Sequence, residues 1–370
     1  MRHLWLPLVV IAVPVAAQTP AKWRLVPEVT YGAADESAGE LSDVRGIEVA
    51  KNGNVLVLDY KAQAVKLFAP DGKFIRNIGR GGGGPAEYET PNGFTRAPDG
   101  TIWINDPGNN RVTILREDGT LVKTMPRDVH TYGFIWDGKF DRQGRLMQGV
   151  SAPPPRGYRL QRTNYLTGQA DSLVPRGCVP PEVVADTRPS SYSFRSKTGG
   201  GTTMGIPFTP DMMKVVHPAG YIWCAYGSTY TVYRIGLEKG DTLGVIRGEA
   251  PALPIPASVR DAAIANIKEI ASKYGEPNYS PAGIPTSYPR LHELQIDDRD
   301  RIWVGLTPVG TPEARYDVYS ADGKLVAKAS IPSRLKGYLS FVFRGDKLYA
   351  LAQDADDVPL VMRFRIEVVK

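Results

Sequence analysis

One short pattern recurs along this chain and limits what it can fold into. Asn52-Gly53-Asn54-Val55-Leu56-Val57 returns as Asp99-Gly100-Thr101-Ile102-Trp103-Ile104, as Gln143-Gly144-Arg145-Leu146-Met147 and as Ala219-Gly220-Tyr221-Ile222-Trp223. Asp300-Arg301-Ile302-Trp303-Val304 and Gly345-Asp346-Lys347-Leu348-Tyr349 complete the series. Each copy is a tight turn followed by an aliphatic residue and then a large or aromatic one. Asn-Gly and Asp-Gly predict type I′ hairpin turns, in which both central residues take positive φ. The β-branched, aliphatic and aromatic residues that follow suit a packed strand.

A second turn follows each of the first five copies, at Asp71-Gly72, Asp118-Gly119, Thr167-Gly168, Lys239-Gly240 and Asp322-Gly323. Each precedes another apolar run, such as Phe74-Ile75, Leu121-Val122 or Leu325-Val326. One unit therefore reads strand, turn, strand, loop, strand, turn, strand, a four-stranded antiparallel blade. Gly53 and Gly100, Asp59 and Asp106, and Gly72 and Gly119 are each 47 residues apart, within the ~40–50-residue range of propeller repeats. Repetition in six units predicts an all-β fold, a six-bladed β-propeller. The sixth unit lacks a second turn, so its missing outer strand is assigned to Trp23–Tyr31 near the N-terminus, which closes the ring. Pro27 within that segment fits an outer edge strand.

Two spacings are stretched: Leu146 to Ile222 is 76 residues and Ile222 to Ile302 is 80. Both are read as insertions, at about 176–211 and 251–290, rather than as a degenerate seventh blade. The first is rich in Pro and Gly, which favours irregular structure. The second contains one helix, with Ser258 as its expected cap, Asp261 at the capping-box position and Gly275 as its stop. Val259, Ala263, Ile267, Ile270 and Tyr274 form its apolar stripe, expected to pack on the propeller body.

Residues 1–17 read as a cleaved signal peptide: Leu4 to Val15 is apolar, and Val15-Ala16-Ala17 supplies small residues for cleavage. No cysteine follows that run, so a lipid anchor is not expected. The remaining 18–370 form a single propeller domain, expected to be exported to the periplasm or beyond, without a membrane span, and monomeric. Lys and Arg number 45 against 39 Asp and Glu, a formal charge of +6 spread along the chain, which does not predict a nucleic-acid partner. Cys178 and Cys224 could pair in an oxidising compartment, or Cys224 could stay a buried thiol.

Asp106-Pro107-Gly108-Asn109-Asn110-Arg111-Val112-Thr113-Ile114-Leu115, followed by Asp118-Gly119, resembles an NHL repeat. Asp59 with Val65-Lys66-Leu67-Phe68 is a partial copy without the Asn-Arg pair. The linker from Ile78 through Gly79-Arg80 and four glycines to Pro85, Glu87 and Pro91 is similar to the inter-blade linker of exported bacterial six-bladed propellers, with Ala86 at a usual glycine. The resemblance spans roughly 44–128, and the blade count looks TolB-like. Such families include scaffolds, sensors, lactonases and lyases, so they do not fix a function.

The same resemblance implies two metal chemistries to weigh. Amidating lyases of this form use a histidine-bound Zn²⁺, and His130, His217 and His292 follow the leader. Register places His217 near the end of one inner strand and His292 near the start of another, which separates them along the channel. Lactonase-type relatives hold Ca²⁺ at the channel mouth through carboxylate and amide oxygens. Counting back eight residues from each hairpin reaches Arg45, Asn92, Trp136, Met212, His292 and Gly337, with Asp137 and Glu293 adjacent. Asn92, Asp137 and Glu293 could supply oxygens, but Arg45 would set a positive charge beside the ion. The expected ligand-binding set is therefore Arg45, Asn92, Trp136, Asp137, His292 and Glu293, with no catalytic or metal residue assigned and no cofactor required.

Other motifs have structural readings. The run Gly79-Arg80 to Gly84 is not followed by a helix, so it is a tight crossing between blades rather than a phosphate loop. Asp59 and Asp106 are expected to satisfy loop N–H groups. Trp103, Trp223 and Trp303 share one repeat column and should pack between blades, serving a sugar only if exposed. The preferred function is a non-catalytic exported propeller binding a protein, peptide or small ligand at the mouth. The alternative is a Ca- or Zn-dependent hydrolase or lyase at the same place.

Overall fold

A computed structural model of the chain describes residues 19–33, 38–126, 135–151, 158–173, 181, 188–189, 191–196, 199–308, 310, 313–331, 335 and 339–369. Residues 1–18, which include the expected leader, and His130, Cys178 and Gly337 lie outside them. The described residues form twenty-eight strands, and the ring is built from six blades. Blade 1 is β2(Val44–Val49), β3(Val55–Asp59), β4(Ala64–Phe68) and β5(Phe74–Ile78). A small parallel pair in the linker, β6(Arg80–Gly81) and β7(Glu87–Tyr88), leads to blade 2: β8(Gly93–Arg96), β9(Ile102–Asp106), β10(Arg111–Leu115) and β11(Leu121–Pro126). Blade 3 is β12(Lys139–Phe140), β13(Leu146–Ser151), β14(Tyr158–Asn164) and β15(Gln169–Leu173). After an inserted hairpin, β16(Ser191–Arg195) and β17(Gly201–Gly205), blade 4 is β18(Met212–His217), β19(Tyr221–Tyr226), β20(Thr231–Gly236) and β21(Thr242–Arg247). Helix α1(Ala257–Tyr274) precedes blade 5: β22(Leu291–Ile296), β23(Ile302–Leu306), β24(Ala314–Tyr319) and β25(Leu325–Ile331).

Blade 6 joins the two ends of the chain. Its strands are β26(Val342–Arg344), β27(Lys347–Gln353), β28(Pro359–Val369) and, outermost, β1(Ala21–Tyr31). β1 runs antiparallel to β28 from Lys22↔Val369 to Tyr31↔Val361. It also pairs in parallel with β25 from Ala21↔Ala327 to Arg24↔Ser330, which welds blade 6 to blade 5. Pro27 lies beyond that second pairing, on an open edge and beside a register shift. A residue without an N–H is tolerated there.

The hairpin turns differ from type I′. Gly53, Gly100, Gly144 and Gly220 take positive φ, whereas the residues before them do not. In the first, Gly53 N–H donates to Ala50 O at 3.0 Å and Ala50 N–H to Asn54 O at 2.8 Å. This is a type I turn ending in one left-handed residue, the usual three-residue hairpin. The Asn or Asp of the pair instead accepts the N–H two residues on: Asn54 N to Asn52 Oδ1 at 3.0 Å and Thr101 N to Asp99 Oδ1 at 2.9 Å.

Both insertions enter the starts of inner strands, so they stand at the same end of the ring. They pack on each other. Tyr192, Phe194, Ile206, Ile267 and Ile284 form a separate core. The helix stripe therefore covers the inserted hairpin rather than the propeller body, and only Ile267 of it is fully buried, with Val259 and Tyr274 exposed. Ser258 does not cap α1. Pro256 occupies the cap at φ −54°, without a side-chain bond, and leaves Ser258 inside the first turn. Gly275 does end the helix, with φ 95° and its N–H on Ala271 O.

Among the described residues no helix is long and apolar enough to cross a membrane.

Candidate functional site: the central channel

β2, β8, β12, β18, β22 and β26 start at one end of the ring and surround a cavity of about 620 Å³. At the end where these strands start, Arg45, Trp136, Asp137 and Ser340 line it; at the hairpin end Arg142, Asp297, Asp298 and Asp300 do so. Between them apolar Ile47, Phe94, Val215, Leu294, Phe341 and Phe343 share the wall with Glu48, Thr95, Lys139 and Lys214.

Three of the six expected binding residues face this cavity. Arg45 is held by Asp43 through Nε–Oδ1 at 2.7 Å and Nη2–Oδ2 at 2.9 Å, and its guanidinium lies 4.9 Å from the Tyr60 ring centre. Trp136 is buried and donates Nε1–H to Gln148 Oε1 at 2.9 Å. Asp137 is exposed and accepts the Gly149 N–H at 3.2 Å.

Asn92, His292 and Glu293 are not among the lining residues. Buried Asn92 accepts from Asn105 Nδ2 at 2.8 Å within blade 2. Glu293 is the hub of a network: His292 Nε2 lies 3.0 Å from its Oε1, Gln295 Nε2 donates to its Oε2 at 3.0 Å, and the Tyr316 hydroxyl donates as well. Gln295 Oε1 in turn accepts the Phe341 N–H at 3.0 Å, linking blades 5 and 6. Burial raises the Glu293 carboxyl, but these donors outweigh it and hold it below the usual range.

His217 closes β18 and His292 opens β22. His217 is buried, stacked 4.2 Å from Tyr221, with Nε2 3.1 Å from Asp300 Oδ1 and Nδ1 accepting the Ala219 N–H at 3.1 Å. Among the described residues no group of three or more His, Cys, Asp or Glu is placed to hold a metal ion.

The structural assignments have clear geometry. Asp59 accepts from Ser42 N, Ser42 Oγ, Asp43 N and Ala62 N at 2.7–3.3 Å. Asp106 does the same for Glu89 N and Thr90 N. Asn109 and Arg111 clasp the glycine linker, donating to the carbonyls of Gly82, Gly83 and Gly84. Trp103, Trp223 and Trp303 are buried between blades, so they offer no platform to a sugar.

Of the positions reached by counting back eight residues, Arg45 and Trp136 line the cavity, Asn92, Met212 and His292 do not, and the channel's middle was passed over. One register tier pairs with the large residue of each repeat: Glu48↔Leu56, Thr95↔Trp103, Lys139↔Met147, Val215↔Trp223, Gln295↔Trp303 and Val342↔Tyr349. Two members, Glu48 and Lys139, are ionisable and line the cavity. Glu48 meets Arg96 Nε at 3.3 Å and Arg344 Nη2 at 3.4 Å. Burial nevertheless raises its carboxyl above the ordinary value, against the pull of both arginines. Lys139 Nζ donates to Ser340 Oγ at 3.5 Å. Burial lowers its ammonium pKa, although Asp137 and Glu48 oppose the shift. Opposed perturbations of an acid and a base in one cleft single out a candidate functional site, a pattern that structural ion pairs share. The signal in the sequence was available: counting back five instead of eight reaches Glu48 and Lys139.

A family model described as a 6-bladed beta-propeller matches residues 36–130. No curated protein matches the chain. Among solved structures, a member of the DUF4221 family from Bacteroides vulgatus is 11% identical, with 95% of this chain and 100% of that one covered and a TM-score of 0.53. A Bacteroides fragilis protein, named as a candidate exported protein, is 13% identical, with coverage of 94% and 96% and a TM-score of 0.50. Virginiamycin B lyase from Staphylococcus aureus is 13% identical over 93% of this chain and 99% of its own, at a TM-score of 0.46. The likeness at these identities is one of fold.

Proposed function

We propose that the protein is an exported, non-catalytic propeller that binds a small ligand in its central channel, entering at the end where the inner strands begin. One observation carries this: all six inner strands contribute side chains to one cavity of about 620 Å³, inside the ~300–1,000 Å³ range of small-molecule pockets. Its wall combines phenylalanine and aliphatic side chains with ten charged ones, so it is more polar than most small-molecule pockets and suited to a ligand that carries charge. Arg45, Trp136 and Asp137 line its entrance. Export rests on the N-terminal leader pattern.

Ser340 tests this reading because it lines the cavity and is exposed. Ser340→Trp should fill the entrance with little cost to folding. Thermal-shift screening with acids, amines, sugars and lactones should find compounds that raise Tm for the wild type and lose that effect in the variant. Compounds that stabilise both proteins equally would place the binding site elsewhere and refute the channel. A stoichiometric Ca²⁺ or Zn²⁺, with a fall in Tm on chelation, would instead favour a metal-dependent hydrolase or lyase.

A further inference from the structure

Which chemistry would the channel accept? Most charges that line it already have partners. Arg45 is held by Asp43, Arg142 by Asp300 at 2.6 Å, and Arg344 by Glu48. Asp297 accepts from Arg301 at 2.6 Å and from Trp303 Nε1 at 2.9 Å, while Asp298 accepts the Gly345 N–H at 2.6 Å. Lys139 differs. Its ammonium has three protons to donate, and among the described residues its one hydrogen-bond acceptor is the Ser340 hydroxyl, at a long 3.5 Å. Glu48, the acid in its own tier, is committed to Arg96 and Arg344. Burial already disfavours the charged amine, so an incoming acceptor with negative charge would gain from both Coulomb attraction and hydrogen bonding.

We propose that Lys139, with Ser340, is the seat for the carboxylate of a small apolar organic acid, whose hydrocarbon part lies along Phe94, Phe341 and Phe343. This deepens the channel reading above and rests on it. Lys139 offers one weakly satisfied ammonium, which matches a singly charged head group; Lys214, the other lysine of the wall, makes a contact of its own, and the three phenylalanines favour a hydrocarbon body over an inorganic anion. Asp137 and Glu48, which already act on Lys139, limit the seat to one negative charge placed directly on its ammonium, and Asp297, Asp298 and Asp300 would repel a carboxylate at the hairpin end.

The test uses the full chain and three probes of one shape: 3-phenylpropanoate, the neutral 3-phenylpropanamide and the cationic 3-phenylpropylamine, titrated calorimetrically near neutral pH. For the wild type the acid should bind at least about tenfold more tightly than the amide, the factor expected of one charge-assisted hydrogen bond. Lys139→Met should abolish that preference, the acid losing far more affinity than the amide. Lys139→Arg, which keeps the charge, should retain most of it. Tm for each variant separates loss of binding from loss of fold. Equal binding of acid and amide, or tighter binding of the amine, would overturn the carboxylate seat while leaving the channel occupied. Failure of all three to bind wild type up to about 10 mM would also overturn the seat; the Ser340→Trp screen then judges the channel independently.

Discussion

Replacing Glu48 by Gln should leave the protein about as stable as the wild type at neutral pH, although it removes a carboxylate that faces two arginines. Breaking a buried ion pair ordinarily costs about 3–5 kcal/mol, because the partner charge is stranded. Here neither arginine is stranded. Arg96 keeps Glu117, Val49 O at 2.9 Å and Gly100 O at 3.4 Å. Arg344 keeps Phe343 O at 2.9 Å and Val49 O at 3.4 Å. The amide oxygen of Gln can still accept from either, and the desolvation of a carboxylate disappears. The expected change is within about 1 kcal/mol. Its pH dependence has a definite sign. Burial raises the Glu48 carboxyl above 4.5 in the folded chain, so the native state binds the proton more tightly than the unfolded state does. That contribution is present in full below 4.5 and is lost as pH rises through the folded value. Relative to wild type, Glu48→Gln should therefore gain stability as pH rises across that window. Urea unfolding of both proteins at about pH 4 and pH 7, with m unchanged, measures the difference. A loss of about 3 kcal/mol or more at pH 7, or a difference that does not grow with pH, would refute the balance argued here.

Leu25→Ala tests the ring closure. Leu25 is fully buried in a cluster with Trp303, Val318, Leu348 and Phe364 from blades 5 and 6, so a loss of about 3 kcal/mol is expected, against under about 0.5 kcal/mol for exposed Lys22→Ala; urea midpoints compare them. His217 should make the fold acid-sensitive. Burial lowers its pKa below 6.5, with Asp300 opposing, and protonation would break the Ala219 N–H to Nδ1 bond. The stability it contributes is whole above 6.5 and falls as pH drops below that value. His217→Gln should flatten the Tm profile as pH falls below 6.5.

The ring was legible in the sequence because backbone requirements leave residue-level marks. A left-handed turn position needs glycine, and the five second-turn glycines all take positive φ. The outer strand was readable from Trp23–Tyr31 because those residues had no other blade to join. Turn type was not legible, since Asn-Gly and Asp-Gly serve type I′ turns and type I turns with a terminal left-handed residue alike. Ser258 resembled a cap, but Pro256 had already set the extended entry. The helix stripe gave the correct apolar face without its partner, because periodicity records that a face is buried and not what buries it. Within the site, His292 and Glu293 looked like rim ligands by register. Tyr316 and Gln295, contributed by side-chain direction and a neighbouring strand, draw them into the blade instead. Lys139 was passed over because nothing in its neighbouring sequence resembles a motif; only its tier gives it meaning.

The seam between β1 and β28 also dictates an order of events. β1 comes before every other described strand in the chain, yet its antiparallel partner β28 comes after all of them, with Lys22 opposite Val369. Joining ends that far apart adds only about 3 kcal/mol of chain entropy over a ten-residue hairpin loop, since the cost grows with the logarithm of length. Time is the larger constraint: blades 1 to 5 can each zip from local hairpins while the sixth waits for its missing edge. Until then β1 presents an unpaired edge, the kind of surface on which a second unfinished chain can dock. Crowded, incomplete copies would thus exchange their first strands more readily than any other part, and the ring's strongest lock would double as its route to misassembly.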